Sequence, residues 1–325
     1  MSSIASPVSK LTRILAPAKL NLHLELHRRR DDGFHDLETI MVAIDHCDEI
    51  ELTLRDDQQT SFACDWLPNQ GSWLRKCGAA ASPASSQLPT RENNLAWKAL
   101  TAFRDAFGFR NGVDVKIRKR IPLGAGLGGA SADAAGILLA VAHLIGVSWA
   151  NPMLRKLAET LGSDVPFLMA AGAGEMNACL ATGKGERLSR LEVRNDLCFV
   201  LFYPPHPVST RLVFERSIVP SKVVQTDMIV SMLTVGRCHS LKNTTHNRLT
   251  VPACELEPRI VRCLDMLRRA GVSCAEMTGS GSTCFAILPA MHQARRVAKR
   301  LQGQGIGLSF PCRMFLSSRN RDTAV

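Results

Sequence analysis

The sequence predicts an α+β fold, and three observations predict it. Apolar residues at period 2 mark strands, apolar residues at helical spacing mark helices, and the two kinds interleave along the chain with no internal repeat. At 325 residues the chain is more than twice the common domain size of about 100 to 150 residues, so two domains or one large composite both fit.

Leu20, Leu22, Leu24 and Leu26 alternate with Asn21, His23, Glu25 and His27, which predicts a strand with one buried face. Ile50, Leu52 and Leu54 repeat the pattern over Asp48 to Arg55. Asp32-Gly33 lies between the runs, but their separation is too long for a tight hairpin, so something other than strand is expected over Phe34 to Cys47. Residues 65–90 are rich in Ser, Ala, Pro and Gly and read as a surface insertion. Leu95, Ala96, Ala99, Leu100 and Phe103 then follow a helical spacing, and Val113, Val115 and Ile117 alternate as a strand. Ala130 to Ile145 is an apolar helix and Leu197 to Tyr203 a buried strand. Pro258 to Ala270 and Met291 to Leu301 read as amphipathic helices with basic outer faces, flanking a strand pair centred on Gly279-Ser280-Gly281.

Composition narrows the class. Hydrophobic residues at 46% and charged residues at 21% are ordinary for a globular protein and exclude a disordered or fibrous chain. The 11 cysteines are odd in number and none forms a C-x-x-C pair, so isolated thiols in a reducing compartment are expected rather than a disulfide scaffold. No apolar signal region follows Met1 and no run of 18 apolar residues occurs, so a cytoplasmic protein without membrane contact is expected. A net charge of +11 favours anionic partners. The basic runs Arg28 to Arg30 and Lys116 to Arg120 read as solvated strand ends or loops.

The segment Pro122-Leu-Gly-Ala-Gly-Leu-Gly-Gly-Ala-Ser131 carries the most chemistry. Glycines at 124, 126, 128 and 129 let the backbone take positive φ and turn successive N–H groups toward an anion, and the following helix adds its positive end. The segment also fits G-x-G-x-x-G, but a dinucleotide site needs an acidic residue about 20 positions on, and Ala134 to Ala158 holds none. A Walker pattern is absent, because Gly183-Lys184 is followed by Gly185 and lacks the earlier glycine. Glycines that serve only helix packing are the structural alternative.

Three motifs in order carry a resemblance to the GHMP kinase superfamily, which includes galactokinases, homoserine kinases and mevalonate kinases: Ala16-Pro-Ala-Lys-Leu-Asn21, the Gly loop, and Thr278-Gly-Ser-Gly-Ser282. Arg30-Asp-Asp-Gly-Phe-His35 and Gly162-Ser-Asp-Val-Pro-Phe167 are most similar to the 4-diphosphocytidyl-2-C-methyl-D-erythritol kinases, a family of the non-mevalonate isoprenoid pathway. The likeness spans about residues 15–315 and is interrupted over 65–90. It implies two α+β domains, 10–174 resembling ribosomal protein S5 domain 2 and 175–318 ferredoxin-like, with the active site between them.

The same resemblance implies an ATP-dependent small-molecule kinase that phosphorylates the 2-hydroxyl of an alcohol carrying cytidine diphosphate. Asp164 would orient or deprotonate that hydroxyl, and Lys19 would stabilise the developing charge. Pro122, Leu123, Gly124, Ala125, Gly126, Leu127, Gly128, Gly129, Ala130 and Ser131 would hold ATP, with Asn94 and Leu95 bordering adenine. His35 would bond the cytosine edge, Phe34 and Phe214 would wall it with Thr210 nearby, and Asn21 would reach the erythritol hydroxyls. Magnesium would accompany ATP, held mainly by phosphates and water, with no metal ligand assigned to the protein. A monomer or weak homodimer with no nucleic-acid partner is expected. Another GHMP kinase, of homoserine or mevalonate type, and a basic RNA-binding module are the alternatives; a single Tyr leaves the latter few rings for base stacking. Phe34 stands where the family usually has Tyr, Asp133 where Asn is frequent, and Arg248 where Asp is usual, and a charge at Asp133 would sit one turn into the anion-binding helix.

Overall fold

The computed structural model describes residues 10–67, 84, 86–193, 197–236, 244–302 and 304–316. Two sheets organise them. The first holds seven strands: β1 (Leu11–Arg29), β2 (His35–Leu54), β3 (Thr60–Trp66), β4 (Val113–Lys119), β5 (Ala178–Gly183), β6 (Arg187–Arg190) and the short β8 (His246–Asn247). Its main path runs β3-β4-β2-β1-β8, while β5 pairs with the other half of β2 and β6 with β5. The second sheet, β11-β7-β10-β9, is built from β7 (Cys198–Tyr203), β9 (Ala275–Met277), β10 (Cys284–Leu288) and β11 (Leu308–Arg313), all antiparallel. In chain order that is 4-1-3-2, the ferredoxin-like arrangement.

Helices α1 (Leu95–Phe107), α2 (Gly129–Leu144), α3 (Pro152–Leu161) and α4 (Val165–Gly172) belong with the first sheet, where α2 and α4 pack on β1. In the second half, α5 (Thr210–Arg216), α6 (Asp227–Val235) and α7 (Thr250–Leu256) precede α8 (Arg259–Arg269) and α9 (Met291–Gln302), which pack on the second sheet. The apolar face of α8, with Ile260, Cys263, Leu264 and Leu267 buried and Arg262 and Arg268 exposed, is the amphipathic pattern read from the sequence.

Three expectations need correction. First, Phe34 to Cys47 is not a separate feature: β2 starts at His35 and pairs directly back on β1, with Arg30 N–H donating to the Phe34 carbonyl across the connection. Ile40 to Ile44 are buried on both faces, so the period-2 signal that would have announced a strand is missing. Second, β1 does not have one buried face. A register shift between Asn21 and His23 breaks its alternation, so Leu20 and Leu22 join the core under α2 while Leu24 and Leu26 join a second core with Val200, Phe202 and Leu264. Third, β5 and β6 follow the expected boundary at residue 174 yet complete the first sheet, because β5 offers its edge to the free half of β2. The second sheet starts only at Cys198. Of the expected insertion, residues 68–83 lie outside the described residues; its flank is anchored where Trp66 Nε1 donates to the Ser86 carbonyl at 2.9 Å.

The cysteines 47, 64, 179, 198, 254, 263, 274, 284 and 312 are free thiols, and among the described residues no helix is long and apolar enough to cross a membrane. The run Lys116 to Arg120 closes β4, which is paired on both sides by β2 and β3; Lys116 and Arg118 are exposed as expected, but Lys119 is buried.

One buried ion pair ties the first strand to the second half of the chain. The Glu25 carboxylate accepts from Arg248 Nε and Nη2, both at 2.7 Å, and from the N–H groups of Leu26 and Val224. Burial works against the charge, but these donors overcome it and hold the Glu25 carboxyl down at about 2. Its stabilising effect is therefore complete above the ordinary carboxylate range and is lost as pH falls toward 2. Arg248→Met, which strands the carboxylate, should lower unfolding free energy at neutral pH by about 3 kcal/mol, the lower end for a buried pair because Arg248 is partly exposed. Urea titrations should find this deficit shrinking between about pH 4.5 and 2; a deficit independent of pH would contradict the role given to the pair.

Candidate active site

Lys19 and Asn21 reach the site because they precede the register shift in β1 and share a face. Both side chains are buried. Lys19 Nζ donates to Asn21 Oδ1 at 2.5 Å and lies 3.7 Å from Asp164 Oδ2. Asn21 is fixed in turn: its amide donates to Thr39 Oγ1 at 2.8 Å and its backbone N–H to Thr278 Oγ1 at 2.9 Å. Asp164 stands at the N-terminus of α4, with its side chain 31% exposed, so it alone of the trio faces open space.

The Gly loop folds over this lysine. Its carbonyl at Leu127 accepts from Lys19 N–H at 3.0 Å, and Gly128, at φ +74°, would put a Cβ 3.1 Å from Lys19 Cγ. Gly126, at φ +75°, would put one 2.3 Å from the Thr278 carbonyl, so any side chain there collides with the third motif. That motif is stitched to the loop by Thr283 N–H, which donates to the Ala125 carbonyl at 3.1 Å. Asn247 braces it from behind, donating to the carbonyls of Met277 and Gly279, both at 2.8 Å. Three segments distant in sequence thus close around one ammonium group.

The resulting cleft, of about 390 Å³, is lined by Pro122 through Ser131 together with Lys19, Asn21, Asp164, Thr210 and Phe214. It opens into an outer cavity of about 590 Å³ lined by Phe34, His35, Thr210, Phe214 and Arg211. There the His35 and Phe214 rings are 5.7 Å apart, while Phe34, also lining the cavity, is 56% exposed. Burial, and next the nearby Arg29, lower the His35 pKa, so the imidazole is neutral at physiological pH and can both donate and accept a hydrogen bond. Thr210 Oγ1 is 2.7 Å from Ser280 Oγ, which ties the outer wall to the third motif.

Asn94 and Leu95 line neither space: the Asn94 side chain caps α1, accepting from Ala96 N–H at 2.9 Å, and Leu95 packs against the first core. Asp133 does not confront an anion. It points away from the cleft into a buried cluster with Lys119 and Asp48, whose other oxygen accepts from Ile121 N–H at 2.8 Å. Burial, with Asp48 adding to it, raises the Asp133 pKa well above the ordinary range in spite of Lys119. One ammonium is thereby matched to one carboxylate, and Asp133 presents a neutral side chain there. Sequence reading missed Thr39, Asn247 and Lys184; the last sits at a Gly-Lys-Gly tip between strands, a signal that was visible only as a failed Walker pattern.

The GHMP kinases N terminal domain family matches residues 94–173 and the GHMP kinases C terminal family residues 240–307. The 4-diphosphocytidyl-2-C-methyl-D-erythritol kinase of Rhodopirellula baltica is 36% identical over 302 residues, covering 88% of this chain and 89% of the relative. The chain belongs to this family of GHMP kinases. The enzyme of the same name from Geobacter sp. (strain M21) is 32% identical, with 90% and 95% covered. A crystal structure of 4-(cytidine 5'-diphospho)-2C-methyl-D-erythritol kinase superposes with a TM-score of 0.74 at 30% identity over 93% of this chain and 99% of that one. A homoserine kinase from Cytophaga hutchinsonii, at 16% identity and a TM-score of 0.68 over 95% and 96%, shares the fold. The two-domain GHMP kinase fold and an ATP-dependent small-molecule kinase activity follow from membership.

The buried cluster beside the loop generates a stability prediction. Lys119→Met leaves Asp48 and Asp133 facing each other without a cation and should cost about 3 to 5 kcal/mol. Asp133→Asn should be at least as stable as wild type, and its advantage should grow as pH rises above the ordinary carboxylate range, because the raised pKa of Asp133 makes its ionisation a cost of the folded state. Denaturation of both variants and wild type from pH 4 to 9 checks this; an Asp133→Asn protein that loses stability relative to wild type as pH rises would contradict it.

Proposed function

We propose that this chain transfers the γ-phosphoryl group of ATP to the 2-hydroxyl of 4-diphosphocytidyl-2-C-methyl-D-erythritol, a step of non-mevalonate isoprenoid synthesis. The observation that carries the proposal is the continuity of two spaces: a cleft with the Gly loop, Lys19 and Asp164, and an outer cavity lined by Phe34, His35 and Phe214. A substrate with a nucleobase at one end and a hydroxyl at the other spans the pair.

In this reading the N–H groups of Gly124 to Ala130 and the positive end of α2 hold the ATP phosphates. Lys19, fixed by Asn21 and Asp164, meets the charge that develops on the transferring group. Asp164, the exposed member, lies 3.7 Å from the Lys19 ammonium and accepts or orients the hydroxyl proton. Neutral His35 bonds the cytosine edge, and Phe34 closes onto the base against Phe214. Asn21 and Thr39 offer polar atoms to the methylerythritol. Magnesium carried by ATP fits an oxygen set of Asp164 and Ser131 with the remainder from phosphate and water, the ligation this ion prefers, and it would neutralise phosphate charge.

Asp164→Asn should lower kcat by about 10²- to 10⁴-fold with little change in KM for ATP. Lys19→Met should do the same, and the double variant should lose less than the product of the two. Steady-state ADP release with the cytidine-bearing alcohol measures this, with mevalonate and homoserine as controls. Normal kcat in Asp164→Asn would make the carboxylate structural, and equal turnover of mevalonate would remove the cytidine assignment.

A further inference from the structure

The cleft and the outer cavity meet at a neck, and the residues lining both spaces are Leu37, Ser163, Lys184, Thr210 and Phe214. If the base lies outside and the acceptor hydroxyl inside, the diphosphate that joins them crosses this neck. Of the five side chains, Lys184 is the single cation. Among the described residues lining the inner cleft, the only other cation is Lys19, which is committed to Asn21 and Asp164.

We infer that Lys184 binds the diphosphate of the acceptor substrate and so sets specificity for a nucleoside diphosphate alcohol over an uncharged one. The inference rests on the reading of the two spaces given above.

The backbone is built to hold the lysine there. Lys184 tips the β5–β6 hairpin, Thr182-Gly183-Lys184-Gly185, and Gly183 pairs with Leu37 two residues beyond His35. Gly185 abuts the turn before Asp164: a Cβ on it would sit 3.4 Å from Ser163 Cβ. The Glu186 carboxylate accepts from Lys184 N–H at 2.6 Å, which fixes the tip through the main chain. The ammonium makes no ion pair among the described residues. It rests 4.8 Å above the Phe34 ring, half-buried, a cation–π contact weaker than a charge-assisted bond to phosphate. The other cations of the outer cavity lie away from the neck, and Arg211 is paired with Glu215 at 2.7 Å.

The position is therefore a lysine parked on the ring that the base is to meet. A diphosphate in the neck would draw the ammonium off Phe34 and free its face for cytosine, so that the two recognition events assist each other.

Calorimetric titration of the whole protein with CDP and with cytidine tests this without any turnover. Lys184→Gln should weaken CDP binding by roughly 10- to 100-fold, the scale of a lost charged hydrogen bond, and leave cytidine binding within about twofold. Lys184→Arg should recover most of the CDP affinity. In kinetics the same loss should appear in KM for the cytidine diphosphate alcohol rather than in KM for ATP. Wild-type protein that binds CDP, with a Lys184→Gln variant that binds it equally tightly, would overturn the Lys184 assignment and leave the proposed function standing. Wild-type protein that binds neither CDP nor cytidine would overturn the reading of the outer cavity and this inference with it. Equal loss of cytidine and CDP binding in Lys184→Gln would make the residue a prop for Phe34 and also contradict the inference.

Discussion

The structure depends on keeping one ammonium group, Lys19 Nζ, buried and aimed. A charged amine removed from water is costly unless it has close partners, and here they come from three separate segments: Asn21 of its own strand, Asp164 at the start of α4, and the Gly loop wrapped over its stem. Gly128 leaves room for the lysine's aliphatic stem, and Gly126 leaves room for the third motif against the loop. The third motif in turn anchors Asn21 through Thr278. The two domains are therefore held at the site by the same contacts that orient its chemistry.

A second charge arrangement supports the first from beneath. Lys119, Asp48 and Asp133 occupy the space behind the loop, and Asp48 also accepts from the N–H groups of Arg120 and Ile121, just before the loop begins. This fixes where the chain enters the loop. It also explains how an acidic residue can sit one turn into the helix that follows the Gly loop: Asp133 faces inward, with its charge suppressed by burial.

Much of this was legible in the sequence, in ways that follow from physical periodicity. The helix at Leu95 to Phe107, the strand at Val113 to Lys119 and the amphipathic helices α8 and α9 have one wet and one dry face, so their patterns announce them. The Gly loop was legible because only glycine satisfies its backbone. What was not legible lies where burial is two-sided or where a contact is non-local. His35 to Cys47 is buried throughout most of its length and so loses its alternation. The shift at Asn21 and His23 leaves no mark in a perfectly alternating Leu series. Lys119 reads as one more basic residue in a basic run until Asp48, 71 positions away, is placed beside it. The Asn94 side chain also caps α1, a local role that was not read from its place just before the helical spacing.

The measurement that bears most directly on the central role of Lys19 is a crystal structure with a non-hydrolysable ATP analogue and the cytidine diphosphate alcohol bound together. The γ-phosphate is expected within hydrogen-bond reach of Lys19 Nζ, the other phosphates on the N–H groups between Gly124 and Ala130, and the acceptor hydroxyl between the γ-phosphorus and Asp164. Phosphates bound away from the loop, or Lys19 still tied to Asn21 and remote from the γ-phosphate in a complex with both ligands in place, would contradict it.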